Sequence, residues 1–426
     1  MSFEKFALDE KIFAGVQSQG YTTPTPIQLK SIPPIMEGRD VMGLAQTGTG
    51  KTAAFVLPIL QRLMQGPRGH VRALIIAPTR ELSEQTHEVI EQLGRRTQLR
   101  SASIYGGVNI NRQIKKLHDR VDIISACPGR LLDHLNRGTV DLSHVEVLVL
   151  DEADHMFDMG FLPDIRRIVK RIPTKRQTLL FSATMPSDVQ HLANDLLQNP
   201  LEIRIGRTAP VETVSHRFYP VQMDTKTDLL KDLLDHTERE SVLVFTRTKS
   251  RAKSVAGRLD KSGYKVISLH GNLTQQKRQK ALAGFRDGQY EIMIATDIAA
   301  RGIDVTNISH VINYDMPETT DAYTHRIGRT GRASKTGEAF TFVTAQDAGL
   351  AYSLKKTLGD RLTYQSVDGL TMAVPADPAS HPGSNHSVKG MKTQNGNGRS
   401  FSPKTPGSRS GKPRSFKPAG RRSWSH

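Results

Sequence analysis

A chain of 426 residues, 37% of them hydrophobic, is long enough for two or three ordinary cores. No apolar run reaches the ~18–20 residues a membrane span needs, and the acidic start MSFEKFALDE lacks the basic flank and apolar stretch of a secretory leader, so a cytoplasmic protein with no membrane partner is expected. The formal net charge is +17, ten of the cations lie in residues 378–426 without a single Asp or Glu, and the one cysteine, Cys127, excludes an internal disulfide or a cysteine-based zinc cluster; polyanions are the expected partners.

Two regions alternate apolar runs with amphipathic stretches, the pattern of parallel α/β sheets. In the first, strands are predicted at Val41–Leu44, Ala73–Ala77, Ala102–Tyr105, Val121–Ser125, Val145–Leu150 and Thr178–Phe181. In the second they are predicted at Ser241–Thr246, Lys265–Leu269, Ile292–Ala295, His310–Asn313 and Ala339–Val343. Between about Arg204 and His216 the helical period lapses around Thr-Ala-Pro. The expected organisation is a first domain over residues 1–205, a linker at 206–215, a second domain over 216–370 and a disordered basic tail over 371–426. That last stretch is rich in Ser, Gly, Pro, Asn and Lys/Arg and has too few apolar residues to bury. Its Phe401, Phe416 and Trp424 stand among the charges and suit a salt-sensitive RNA tether. No short repeat is present, and the two α/β regions are open to being copies of one fold.

Ala45-Gln-Thr-Gly-Thr-Gly-Lys-Thr52 follows a predicted strand and precedes a helical stretch, Ala53–Met64. It is a Walker A phosphate loop. Gln46, Thr47 and Thr49 lie in the loop, and Gly48 and Gly50 let its backbone N–H groups turn toward phosphates. Lys51 is expected to reach the β and γ phosphates, and Thr52 to stand beside Mg²⁺. A hundred residues on, Val147-Leu-Val-Leu is a buried strand that ends in Asp151-Glu152-Ala153-Asp154. Acids past the carboxyl end of a central strand lie in the ligand crevice of such sheets. Asp151 is placed to hold Mg²⁺, partly through water, and Glu152 to orient and deprotonate the attacking water. ATP and Mg²⁺ are therefore the expected cofactors.

Asp-Glu-Ala-Asp at 151–154 is the signature of the DEAD-box RNA helicases, and the chain resembles that family in order over roughly residues 3–345. Phe3, Gly20-Tyr21 and Pro24-Thr-Pro-Ile-Gln28 are similar to its Q motif. The resemblance implies that Gln28 reads the adenine edge and that Tyr21 packs on the base. Pro78-Thr79-Arg80-Glu-Leu82, Gly106-Gly107 and Pro128-Gly129-Arg130 resemble the family's RNA contacts in the first domain. Asp154, Ser182-Ala-Thr184, His325 and Arg326 resemble its coupling elements. In the second region Val244-Phe-Thr-Arg247, Gln275-Gln-Lys-Arg278 and Ala295-Thr296-Asp-Ile-Ala-Ala-Arg301-Gly302-Ile-Asp304 look like further RNA- and ribose-facing motifs. His325-Arg-Ile-Gly-Arg329-Thr-Gly-Arg332 looks like the arginine-finger motif. Arg247, Gln275, Arg278, Thr296, Arg301 and Gly302 would then meet RNA, Asp304 the ribose, and Arg329 and Arg332 the γ-phosphate. The wording at Tyr21–Gln28 and Gly38-Arg-Asp-Val is closest to the bacterial RhlE-like group. One departure stands out: the family usually has Thr before Pro-Gly-Arg, and this chain has Cys127.

The fold implied is two tandem RecA-like α/β domains that share one ATP site. The function implied is RNA-stimulated ATP hydrolysis coupled to local, poorly processive unwinding, with ribosomal precursors or RNA-decay proteins as expected partners. An ATP-gated RNA clamp without an unwinding duty uses the same residues and stands as the alternative.

Overall fold

A computed structural model describes residues 2–46, 48–205, 214–300, 308–331 and 336–372. Thr47, Arg301, Gly302, Asp304 and Arg332, and residues 373–426 of the expected tail, lie outside the described residues. The first sheet contains β1 (Val41–Leu44), β2 (Ala73–Ile76), β3 (Ser101–Ile104), β4 (Ile123–Ala126), β5 (Val147–Asp151), β6 (Gln177–Ser182) and β7 (Leu201–Arg204). They lie in the order β3-β4-β2-β5-β6-β1-β7, and every pairing is parallel. The second sheet contains β8 (Val214–Pro220), β9 (Val242–Phe245), β10 (Val266–Leu269), β11 (Ile292–Ala295), β12 (His310–Asn313), β13 (Gly337–Val343) and β14 (Leu362–Tyr364). Its order is β10-β11-β9-β12-β13-β8-β14, again parallel. Counted from its own first strand, the second order repeats the first, so the two regions are copies of one fold.

Helices cover both faces, which is why the central strands are buried throughout and largely apolar. Along β5, Val147 and Val149 face one core with Phe55, Leu57 and Phe181, while Leu148 and Leu150 face another with Leu131 and Met156. Each such side chain contributes about 1.5–3 kcal/mol on full burial, so β5, central and buried at every residue, is a rigid base for the acids at its end.

Two boundaries differ from expectation. β8 starts at Val214, inside the expected linker, and residues 206–213 lie outside the described residues. At the far end Thr371 bridges Val221, and the Met372 N–H donates to Pro220 O at 2.8 Å, so the first two residues of the expected tail are hydrogen-bonded to the second domain.

Candidate nucleotide and RNA site

The helix Lys51–Leu63 follows β1 through the phosphate loop, so its N-terminal dipole end faces the loop. Gly50 has φ +90°, and a Cβ there would stand 2.5 Å from Gln28 Nε2. Both facts require glycine. Lys51 is buried, with Nζ donating to Ala45 O at 2.7 Å. Thr49 Oγ1 donates to Gln46 O at 2.7 Å, and Thr52 is the second residue of the helix. Gln28 caps its own helix, Pro26–Met36: its Oε1 accepts from Thr25 N–H at 2.9 Å. Its Nε2 donates to Gly50 O at 3.1 Å. One N–H and one lone pair remain for an adenine edge. Phe3 is buried beneath Tyr21, ring centroids 6.1 Å apart, so Tyr21, 37% exposed, is the ring that can meet a base and Phe3 supports it.

At the end of β5, Glu152 takes the left-handed conformation, φ +53° and ψ +54°. That costs a non-glycine residue about 1–2 kcal/mol. Burial raises the Asp151 carboxyl to about 7; Glu152 and Asp154 add to the rise, and Lys51 opposes it. Burial would raise Glu152 as well, but His155, Lys51 and Arg329 outweigh it and hold the group at about 2. His155 Nδ1 lies 2.9 Å from Glu152 Oε2, both side chains buried. Asp154 faces the other way. Its Oδ2 accepts from Ala183 N–H at 3.2 Å, Thr184 N–H at 2.8 Å and Thr184 Oγ1 at 2.9 Å, while its own N–H donates to Ser182 Oγ at 3.1 Å. The expected coupling residues of the first domain are thus one hydrogen-bonded unit.

The loops after β2, β3 and β4 gather the first-domain RNA candidates. Thr79 caps the helix Arg80–Gly94, Leu82 N–H donating to its Oγ1 at 3.2 Å. Arg80 packs so closely on Gly107, φ +82°, that a Cβ there would stand 2.1 Å from Arg80 Nη1. Arg130, from the helix Pro128–Asn136, donates through Nη1 to Val108 O and Gln113 Oε1, each at 3.1 Å. It therefore shapes the Gly106–Gly107 loop. Gly129 meets only open space. Cys127 is buried, and burial, with Glu81 and Glu84 nearby, pushes its thiol up to about 12. It is therefore a protonated thiol at neutral pH with little redox reactivity.

The second sheet brings its residues against the first. The His325 ring stands edge-on to His155, centroids 5.2 Å apart. Arg329 is buried close enough to Glu152 to depress its carboxyl. Arg326 forks onto Asp297 at 2.6 and 2.7 Å and stacks on Phe245 at 5.0 Å, tying neighbouring motifs of the second domain together. Arg278 is buried, and its Nε donates to Glu81 Oε1 at 2.7 Å, across the interface between the sheets. Its other contacts, His270 O at 3.5 Å and Ala299 O at 3.3 Å, are protein as well. Breaking a buried pair of this kind costs about 3–5 kcal/mol, against 0–1 for an exposed pair such as Arg166–Asp195. Arg278 therefore sits where it holds the halves together, and Gln275, also buried, donates to Glu84 Oε2 at 3.4 Å across the same interface. Arg247 and Thr296 line a cavity of about 600 Å³ with Asp154, His155, His325 and Arg329. His155, Glu84, Tyr105 and Gln279 are participants that the motif reading missed, because each lies outside a motif or acts across the interface.

Residues 25–192 match the DEAD/DEAH box helicase family, and residues 225–334 match the helicase conserved C-terminal domain. The chain is 45% identical to the ATP-dependent RNA helicase CshA of Listeria monocytogenes over 84% of this chain and 69% of that one. It is 42% identical to the DEAD-box ATP-dependent RNA helicase CshA of Geobacillus kaustophilus over 84% and 76%. Among solved structures, S. cerevisiae Dbp5 bound to RNA and ADP BeF3 aligns with TM-score 0.76 and 31% identity, covering 85% of this chain and 95% of that one. The structure of Mss116p bound to ssRNA and AMP-PNP aligns with TM-score 0.77 and 27% identity, over 86% and 79%. Two tandem sheets of one order, a phosphate loop on the first and an arginine of the second beside its acids have the same explanation as these matches: the chain belongs to the DEAD-box RNA helicase family.

Proposed function

We propose that the protein hydrolyses ATP in a site assembled from both sheets and uses the closed state to bend and locally open RNA duplexes. The observation that carries this reading is the cavity that Arg329 and His325 of the second domain line together with Asp154 and His155 of the first. Lys51 and the loop backbone bind the phosphates, Gln28 and Tyr21 take the adenine, and Arg329 stabilises the charge that develops on the transferred phosphoryl group. Glu152, held at about 2, is a weak base. It is better suited to orient the water as a charged acceptor than to remove its proton early. The Asp151 carboxylate, which burial and the neighbouring acids disfavour as an anion, and the Thr52 hydroxyl are hard oxygen donors. Hard oxygen donors of this kind fit Mg²⁺, which when bound neutralises charge on the β and γ oxygens.

Thr79, Arg80, Gly106, Gly107 and Arg247 suit an RNA backbone rather than base edges, so little sequence preference is expected. Opening four or five steps costs roughly 6 kcal/mol if RNA stacking is near that of DNA, which a few differential contacts supply. A duplex of about ten base pairs should therefore be displaced in the presence of ATP, and one of about thirty hardly at all. RNA-stimulated ATPase without any displacement of the short duplex would favour the clamp. A role in ribosome assembly or RNA decay, and placement in the RhlE-like group, rest on the sequence resemblance and are part of this proposal.

Gln28→Ala removes the helix cap, the link to Gly50 and the adenine reader together. It should raise the KM for ATP about tenfold, two hydrogen bonds being worth about 0.5–1.5 kcal/mol each, and narrow the preference for ATP over GTP. Initial rates with each nucleotide check this; a wild type that already uses GTP as well as ATP would remove the adenine role.

A further inference from the structure

Glu84 belongs to none of the motifs, yet it joins three elements. It lies on the helix Arg80–Gly94, one turn beyond Arg80. Its carboxylate accepts from the hydroxyl of Tyr105, the residue that leads into the Gly106–Gly107 loop. From the second domain, Gln279 Nε2 donates to Glu84 Oε1 at 2.9 Å and Oε2 at 2.8 Å, and Gln275 Nε2 donates to Oε2 at 3.4 Å. Both glutamines stand on the helix Gln275–Arg286. One carboxylate thus touches the neck of an RNA-facing loop on one side and the opposite domain on the other. The buried Glu81–Arg278 pair lies one turn away, across the same interface. Glu84 is only half-buried, and Gln279 is exposed, so this contact can form and break without unfolding either half.

We infer that Glu84 is a positioning residue that couples RNA engagement by the Gly106–Gly107 loop to closure of the two domains. The inference rests on the functional reading above. RNA that settles the loop fixes Tyr105, which aims the Glu84 carboxylate at Gln279 and Gln275. Closure in turn fixes Glu84 and presents the loop to RNA. The two effects are one coupling seen from either side.

The test exchanges the partners. In the full-length protein, Gln279→Glu sets two carboxylates against each other and should raise the KM for a single-stranded RNA of about twenty nucleotides about tenfold, within the usual range of coupling energies. The kcat for ATP at saturating RNA should stay within about twofold, as for loss of an interaction that acts on binding alone. Glu84→Gln keeps an acceptor for Tyr105 and should raise that KM by about threefold at most. The double variant Glu84→Gln, Gln279→Glu restores one carboxylate facing one amide and should return the KM to within about threefold of wild type. A merely structural role would lower the melting temperature in each variant and give no rescue. Wild-type turnover indifferent to RNA would overturn the functional reading and this inference with it. A stimulated wild type whose KM for RNA is unmoved by Gln279→Glu, or not restored by the exchange, would overturn this inference alone.

Discussion

Glu152→Gln is expected to bind ATP and RNA as the wild type does while kcat falls at least about a hundredfold, the lower end for loss of a positioned acid–base group. The substitution keeps the shape of the side chain. It leaves an oxygen able to accept from His155, and glutamine takes the left-handed backbone no worse than glutamate. What it removes is the negative charge that His155, Lys51 and Arg329 together stabilise. Phosphate release at saturating ATP and RNA, alongside binding of a fluorescent nucleotide, separates chemistry from affinity. Turnover near the wild-type rate would take Glu152 out of the reaction.

Removal of the finger should be as severe. Arg329→Ala is expected to cut kcat about 10³-fold or more, as arginine fingers do in related nucleotidases. Nucleotide binding should hardly change, because Lys51, Gly50 and Gln28 all belong to the first domain. Arg329→Lys keeps the charge but loses the planar fork and should recover only part of the rate. Arg329 is buried, so the lysine variant also distinguishes lost chemistry from a disturbed interface. Full activity in Arg329→Ala would mean that the first domain hydrolyses ATP by itself.

Much of this arrangement was legible in the sequence, for identifiable reasons. The central strands are buried on both faces and read as apolar runs, so β1 and β11 lie at the predicted residues, as does β12 with its polar ends His310 and Asn313. The phosphate loop was legible because its glycines are required at fixed offsets by backbone conformation, as Gly50 illustrates. The edge strands β7 and β14 were not, because four and three residues with one buried position each carry no alternation. β8 carries His216 and Arg217 among its apolar residues and was partly assigned to the linker. The buried pairing of Arg278 with Glu81 and the exposed contact of Gln279 with Glu84 join residues 197 and 195 positions apart, and no local pattern encodes such meetings.

The repeated strand order has one more consequence. In the first copy β1 leads to a helix that opens on buried Lys51; in the second β8 leads to a helix, Lys226–His236, that opens on buried Lys226. β5 ends at Asp151, and Asp315 stands two residues past its counterpart β12. In the second copy, however, Lys226 Nζ donates to Tyr314 O at 2.8 Å and to Asp315 Oδ1 at 3.2 Å. Asp315 also takes Arg247 N–H at 2.9 Å and Arg251 at 2.8 Å. The ammonium and carboxylate proposed to face a triphosphate in the first twin have counterparts in the second that neutralise each other. What is proposed as a fuel chamber on one side is a rivet on the other. Of two matched lysines, Lys226 is thus locked onto its own aspartate while Lys51 donates to Ala45 O.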